Sequence, residues 1–252
     1  MAPPDWIGFE PAGIPSRRVA YFNAGFLRQK RLRRILELAG YDLRLTRPEH
    51  AETVAVWGHS PYAARGEAVV AKTGADLIRV EDAFLRSLHP GRSGEPPLGL
   101  VVCKQAMHFD ITQPNDLEQI LNQHPLDDAG LLTRARDCIA RINEARLSKY
   151  AAFDPDAPLP DAGYVLLVDQ TRGDASIKLG RANQHSFAEM LMQAREDHPT
   201  ARIVIKTHPE TRAGHRTGHF TDADLPDNVT LYDGAASPHA LLKGAVAVYT
   251  PC

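Results

Sequence analysis

Apolar positions follow two alternating rhythms along the chain. Residues 17–23 (RRVAYFN) form a short apolar run. Phe26 to Ala39 then carries Leu27, Leu32, Ile35, Leu36 and Leu38 at helical spacing and stops at Gly40. Residues 41–45 alternate, and 52–57 (ETVAVW) are apolar up to Gly58. Residues 62–73 read as helix and 75–80 (ADLIRV) as a further strand. Leu98 to Cys103 is strand-like. Asn115, with Glu118 three residues on, predicts a capped helix start. A helix is expected over 131–150, with Leu132, Ala135, Ile139, Ile142 and Leu147 on one side. The rhythm then restarts, with strands at 164–168, 202–206, 229–232 and 245–249 and helices at 184–196 and 237–243. Strands alternating with helices predict an α/β fold with parallel sheets.

Residues 151–162 (AAFDPDAPLPDA) break that rhythm with three prolines and three aspartates and read as a linker. The expected organisation is one domain over 1–150, the linker over 151–162, and a second domain over 163–252. A parallel strand at 245–249 with no helix after it would leave a sheet face uncovered. The second domain is therefore read as incomplete.

Composition narrows the function classes. Of 252 residues, 43% are hydrophobic and 24% charged, and the formal net charge is -2. No global basic field points to nucleic acid. One local basic run, Arg28 to Arg34 (RQKRLRR), reads either as the solvated face of an amphipathic helix or as a contact for anionic lipid headgroups. Cys103, Cys138 and Cys252 show no metal-ligand spacing and read as free thiols in a reducing compartment. No metal site is expected. The start, MAPPDWIGFEPAG, lacks the layout of a signal peptide, and no stretch approaches the ~18 apolar residues of a membrane span.

Three clusters fall at the C-terminal ends of predicted strands, where open α/β sheets bind ligands. In the first, Glu81 and Asp82 follow a strand, with Arg86 four residues on. One carboxylate suits general acid–base work, since paired carboxylates separate their pKa values. A solvated acidic turn with an Arg86 ion pair is the structural alternative. The second runs Asp169 to Ser176 (DQTRGDAS). Asp174 there suits attack on an anomeric carbon, or equally a helix N-cap. The third is Lys206-Thr207-His208-Pro209-Glu210. Its lysine and histidine suit a phosphate with developing negative charge, and its proline stiffens the loop.

Taken in order, Trp57-Gly58, RVEDAFLRS (79–87), PPLGLVV (96–102), FDITQPNDLEQIL (109–121), QTRGDASI (170–177) and KTHPE (206–210) resemble the capsule-polysaccharide β-Kdo transferases of the KpsC/LipA type. The resemblance covers about Trp57 to Tyr249. It implies a GT-B-like pair of Rossmann-type domains, acceptor-side over 1–150 and nucleotide-sugar-binding, though partial, over 163–252. It also implies CMP-Kdo as donor substrate with no cofactor, a glycolipid acceptor, and transfer with retention. Asp174 would be the nucleophile, and Glu81 and Asp82 would assist proton transfer or hold the sugar. Lys206, His208 and Pro209 would bind CMP, and Arg86, Gln170, Arg172 and Ser176 would contact the substrate. The implied location is cytoplasmic, peripheral on the inner membrane, with lipids and capsule assembly and export proteins as neighbours and no nucleic acid. Four positions depart from the family pattern. Ala83 replaces a glycine, Cys103 an aspartate, and Gln105-Ala106 a glycine, and Tyr249-Thr-Pro-Cys252 stands where a Ser/Thr-rich turn contacts CMP. Two other readings stay open. One is a non-catalytic binding module of capsule assembly. The other is an inverting, sialyltransferase-like enzyme with Asp82 as base and Asp174 only structural.

Overall fold

A computed structural model describes residues 17–104 and 106–251. The N-terminal MAPPDWIGFEPAG stretch, Gln105 and Cys252 lie outside the described residues. The chain divides into two compact units. One comprises the chain up to Ser87 with Pro96–Glu144; the other comprises Leu88–Glu95 with the chain from Ala145 onward.

The first unit contains β1 (Arg18–Tyr21), α1 (Ala24–Arg28), α2 (Lys30–Leu38), β2 (Asp42–Arg44), β3 (Thr53–Trp57), α3 (Ala63–Thr73), β4 (Asp76–Asp82), β5 (Leu100–Cys103), α4 (Asp116–Gln123) and α5 (Ala129–Glu144). Its sheet has the order β2-β1-β3-β4-β5. The first four strands are parallel, as expected from the sequence. β5 instead pairs antiparallel with β4. A parallel return needs a crossover of a dozen or more residues, usually a helix. The segment between β4 and β5 holds only a 3-10 turn at Gly91–Ser93.

Side chains alternate across this sheet. Val19, Tyr21, Ala55, Ile78 and Val80 pack with Phe26, Leu32 and Leu36, while Val54 and Val56 pack with Ala63, Val69 and Val70. Both faces are covered by helices, which is why the strands read as continuous apolar runs. Gly66 brings α3 close to the sheet: a Cβ there would stand 2.5 Å from a Val56 methyl. The single helix expected over 26–39 is two, broken at Gln29 (φ -87, ψ 88), and Leu27 and Leu38 point to solvent. The capping box of Asn115 and Glu118 is present at α4. The helix expected over 131–150 ends at Glu144 and buries none of its residues, so its apolar stripe does not build the core.

The second unit contains β6 (Tyr164–Val168), α6 (Ala175–Leu179), α7 (Gln184–Asp197), β7 (Ile203–Lys206), α8 (Pro209–Arg212), β8 (Val229–Tyr232), α9 (Pro238–Gly244) and β9 (Ala245–Tyr249). The sheet order is β8-β7-β6-β9, all parallel. Val165 and Leu167 pack with Phe187, Met190 and Ala194, and Tyr164 and Leu166 pack with Leu241. The buried Tyr164 hydroxyl donates to the Leu241 carbonyl at 2.6 Å. On β9, Ala247 and Tyr249 join the core, while Val246 and Val248 are exposed. Residues 151–162 carry no helix or strand. Among the described residues, no helix is long and apolar enough to cross a membrane.

Candidate active site

In the second unit, a cavity of ≈ 380 Å³ opens at the C-terminal ends of β6 and β7. Asp169 and Gln170 enter it from the loop after β6. Lys206, Thr207, His208 and Pro209 enter from β7 and α8, and Lys149 and Tyr150 complete one side. Four residues singled out in the sequence, Gln170, Lys206, His208 and Pro209, thus share one cavity.

His208 caps α8: its Nδ1 accepts the Glu210 N–H at 3.1 Å, and Pro209 holds the first helical position. Tyr150 stands edge-on to the imidazole, with centroids 6.4 Å apart. Burial first, then the charge of Lys149, lowers the His208 pKa to about 4, against a pull upward from Asp174. The ring is therefore neutral. With Nδ1 engaged as acceptor, Nε2–H is left to donate. Histidine supplies a hydrogen bond here, and positive charge comes from Lys206, with Lys149 and Arg212 also on the lining. Burial, then Arg212, lowers the pKa of Lys206 too. Thr207 adds a buried hydroxyl without a partner among the described residues, a donor that a ligand oxygen can satisfy.

Arg172 and Asp174, on the loop after β6, and Ser176, in the first turn of α6, do not line the cavity. Asp174 caps α6, a helix that the apolar pattern does not reveal. Its Oδ1 accepts the Ser176 N–H at 3.0 Å and the Ser176 hydroxyl at 2.8 Å, and its Oδ2 accepts Arg216 Nη1 at 3.0 Å. Burial pushes this carboxyl up, but the Ser176 bonds and Arg216 outweigh it and leave the pKa lowered. The helix-cap reading is thus realised in the geometry. The side chain also stays ionised and 36% exposed, which a nucleophile needs. Arg172 donates from Nη2 to the His219 carbonyl at 3.4 Å.

Two further residues hold this loop: Arg216, which the sequence did not single out, and Asp169, which opens the second cluster but was given no role of its own. Arg216 also donates from Nη2 to the Arg172 carbonyl at 2.6 Å. Asp169 is buried and accepts the N–H groups of Gln170 (2.8 Å) and His219 (3.1 Å); burial, its largest influence, raises its pKa. Gly218 carries no Cβ because the Asp169 carboxylate occupies that space. Arg216 belongs to no motif, and the partner that gives each residue its role is more than 40 positions away in sequence. His215 and His219 stand four apart, but His219 is stacked on Phe187 at 3.6 Å and His215 sits 3.5 Å from Ser93 Oγ. Among the described residues, no group of three or more His, Cys, Asp or Glu could hold a metal ion.

The first unit holds Glu81, Asp82 and Arg86. The acidic pair does not sit in a turn after a strand. Both are the last residues of β4, opposite Val101 and Leu100, because the antiparallel β5 prolongs the ladder. Glu81 folds over Gly58, whose φ is +39 and whose missing Cβ leaves room for the carboxylate. Asp82 Oδ2 accepts from Arg86 Nε at 3.2 Å, and Arg86 is 6% exposed and also donates to Ser87 Oγ at 2.7 Å. This is the ion-pair arrangement that the sequence left open. Asp82 Oδ1 is buried with no partner among the described residues. Ala83 does not adopt a positive φ, so the loss of glycine there brings no backbone strain. Burial, aided by Asp116 and Glu81, pushes the Cys103 thiol to about 11, which makes it an inert core residue.

The family described as "Capsule polysaccharide biosynthesis protein" matches residues 52–161 and 154–251. The chain is 33% identical over 205 residues to "Capsule polysaccharide modification protein LipA" of Neisseria meningitidis serogroup A, covering 79% of this chain and 29% of that protein. It is 32% identical over 201 residues to "Lipopolysaccharide-processing protein LpsZ" of Rhizobium meliloti, covering 77% and 45%. The chain therefore spans less than half the length of these curated relatives. Among solved structures, the β-Kdo 2,4-transferase of Thermosulfurimonas dismutans KpsC superposes with a TM-score of 0.84 at 30% identity, over 93% of this chain and 74% of that one. The β-Kdo 2,7-transferase of the same protein shares the fold, with a TM-score of 0.52 at 22% identity over 91% and 66%.

Proposed function

The chain belongs to the capsule polysaccharide biosynthesis protein family, and from that premise we propose that it is a glycosyltransferase module moving Kdo from CMP-Kdo to a glycolipid acceptor, with retention. The observation that carries this reading is the cavity at the ends of β6 and β7, where Gln170, Lys206, Thr207 and the neutral His208 offer hydrogen bonds and one charge to a nucleotide phosphate. Likeness to a solved β-Kdo transferase supplies the sugar.

In the proposed chemistry, Lys206 and the His208 Nε2–H hold the CMP phosphate. The Asp174 carboxylate attacks the anomeric carbon as the sugar–phosphate bond breaks, and CMP leaves with the electron pair. An acceptor hydroxyl then attacks the same carbon, its proton passes to Glu81, and Asp174 is released as carboxylate. Asp82, whose Oδ2 accepts from Arg86, and Glu81, whose Oε1 accepts the Asp82 N–H, form the acidic pair that assists this transfer or holds the sugar. Two inversions give retention. The domain over 1–150 serves the acceptor and the one over 163–252 the donor. The protein works in the cytoplasm against the inner membrane, where Arg31 and Arg34 on the exposed side of α2 meet anionic lipid and capsule assembly proteins.

One observation favours a second reading. Both oxygens of Asp174 already accept hydrogen bonds, as they would in an inverting enzyme where Asp82 is the base. Intact-mass measurement after incubation with CMP-Kdo and no acceptor separates the two. A Kdo adduct mapped to Asp174 supports retention. Turnover without any adduct in wild type or in Glu81→Gln, together with an inverted product, refutes it. No turnover at all in a folded chain leaves a binding module.

A further inference from the structure

We propose that Glu210 is a positioning residue for the transfer, a standby counter-ion that takes over Arg216 when Asp174 gives up its charge. This rests on reading Asp174 as the nucleophile. Glu210 closes the KTHPE run (206–210). Lys206 and His208 of that run line the cavity, and Glu210 does not.

Arg216 stands between two carboxylates. Its Nη1 lies 3.0 Å from Asp174 Oδ2 and 4.0 Å from Glu210 Oε2, while its Nη2 donates to the Arg172 carbonyl at 2.6 Å. The Glu210 side chain is 12% exposed and that of Arg216 21%, so solvent ions screen this pair weakly. The main chain of Glu210 is fixed at both ends. Its N–H donates to His208 Nδ1 at 3.1 Å, and its carbonyl accepts the His215 N–H at 2.9 Å. On its outer side, Arg92 Nε meets Glu210 Oε2 at 3.4 Å. Arg92 lies in the 3-10 turn Gly91–Ser93, on the segment that belongs to the second unit, and is 60% exposed.

The proposed chemistry needs such a neighbour. When the sugar–phosphate bond breaks, the electron pair and its charge leave on CMP. The new bond from Asp174 to the anomeric carbon turns the carboxylate into a neutral ester. Arg216 then faces an ester oxygen, a weaker acceptor, in a site with little water. A charge left there without its counter-ion is costly. Glu210 is already 4.0 Å from the same nitrogen, and a small side-chain movement brings it to hydrogen-bond distance. When the acceptor hydroxyl attacks and the ester breaks, Asp174 recovers its charge and Arg216 returns to it.

Protonation of Asp174 removes the same charge as ester formation, so it reports the hand-over without turnover. Among the described residues, Arg216 and His208 are the charged or titratable groups that act on Asp174. Arg92 and Arg216 face the Glu210 carboxylate. A nearby carboxylate favours the neutral form of Asp174. The test follows the Asp174 carboxyl carbon by NMR in the whole chain, assigned with Asp174→Asn. Glu210→Gln should move its titration to lower pH by roughly a few tenths of a pH unit. Arg92→Gln leaves Glu210 to Arg216 alone and should move it to higher pH. Both variants break the same Arg92–Glu210 pair, so a merely structural role moves the two alike. In turnover of CMP-Kdo with acceptor, Glu210→Gln should lose about tenfold in kcat, with KM for CMP-Kdo within about twofold of wild type. Shifts of one sign in both variants, no shift in Glu210→Gln, or wild-type kcat in Glu210→Gln would each overturn the proposal. Failure of the transferase reading would look different: opposite shifts in the two variants, but no turnover in wild type.

Discussion

Asp174→Asn and Asp174→Ala separate the two roles that one carboxylate combines. Asparagine caps a helix as well as aspartate does. It keeps an acceptor for the Ser176 N–H and loses only the ion pair with Arg216. That pair is 3.0 Å long but 36% exposed on the Asp174 side, so after solvent screening it contributes no more than about 1 kcal/mol. Alanine loses the cap as well, a further ~1 kcal/mol, and leaves the Ser176 hydroxyl and Arg216 without their partner. Asp174→Asn should therefore melt within about 2–4 °C of wild type, and Asp174→Ala roughly another 2–4 °C lower, at the ~2–4 °C per kcal/mol of a chain this size. Transfer behaves differently. Both variants lack the nucleophile, and both should lose at least ~10³-fold in kcat. The assay pairs calorimetric melting with release of CMP from CMP-Kdo in the presence of acceptor. Asp174→Asn with more than a tenth of wild-type turnover would refute the nucleophile. Equal melting of the two variants would refute the cap.

Other consequences follow from the same contacts. Arg216→Ala removes a group that lowers the Asp174 pKa, so the acid limb of the kcat/KM profile should move to higher pH; a limb that stays put would show that Asp174 does not set it. His208 has its pKa lowered to about 4 by burial, against about 6.5 in the unfolded chain. The unfolded state then takes the proton first, so this contribution to stability is full above pH ~6.5 and falls toward pH 4. Urea midpoints should show that slope in wild type and less of it in His208→Gln. Gly66→Ala would set a Cβ 2.5 Å from a Val56 methyl. Overpacking of about 1–3 kcal/mol should exceed the ~1 kcal/mol gained in helix propensity, and a Val56→Ala background should relieve it, as thermal melting can show.

The fold was legible where a single local force decides. Strands β6 and β9 fall on the expected residues because both are short apolar runs closed by turn chemistry, and the Asn115 box declares itself within four positions. The break at Gln29 and the antiparallel β5 were not legible, because the first depends on how two short helices dock and the second on what a distant segment does. Of the site, the chain's own motifs brought Lys206, His208 and Gln170 to one cavity. Arg216 could not be read, and Asp169 was read only as the start of a cluster, because what gives each its role is a partner more than 40 residues away. Asp174 was read for its chemistry, with its capping role left as an equal alternative, and the structure shows the cap while the chemistry awaits its adduct.

Calorimetric titration of CMP into the folded chain, beside His208→Ala, tests the central claim most directly. The account predicts binding in wild type and about tenfold weaker binding in the variant, the worth of one hydrogen bond of ~1.4 kcal/mol to a phosphate oxygen. No heat of binding in a chain that melts cooperatively, or equal affinity in both proteins, would contradict it.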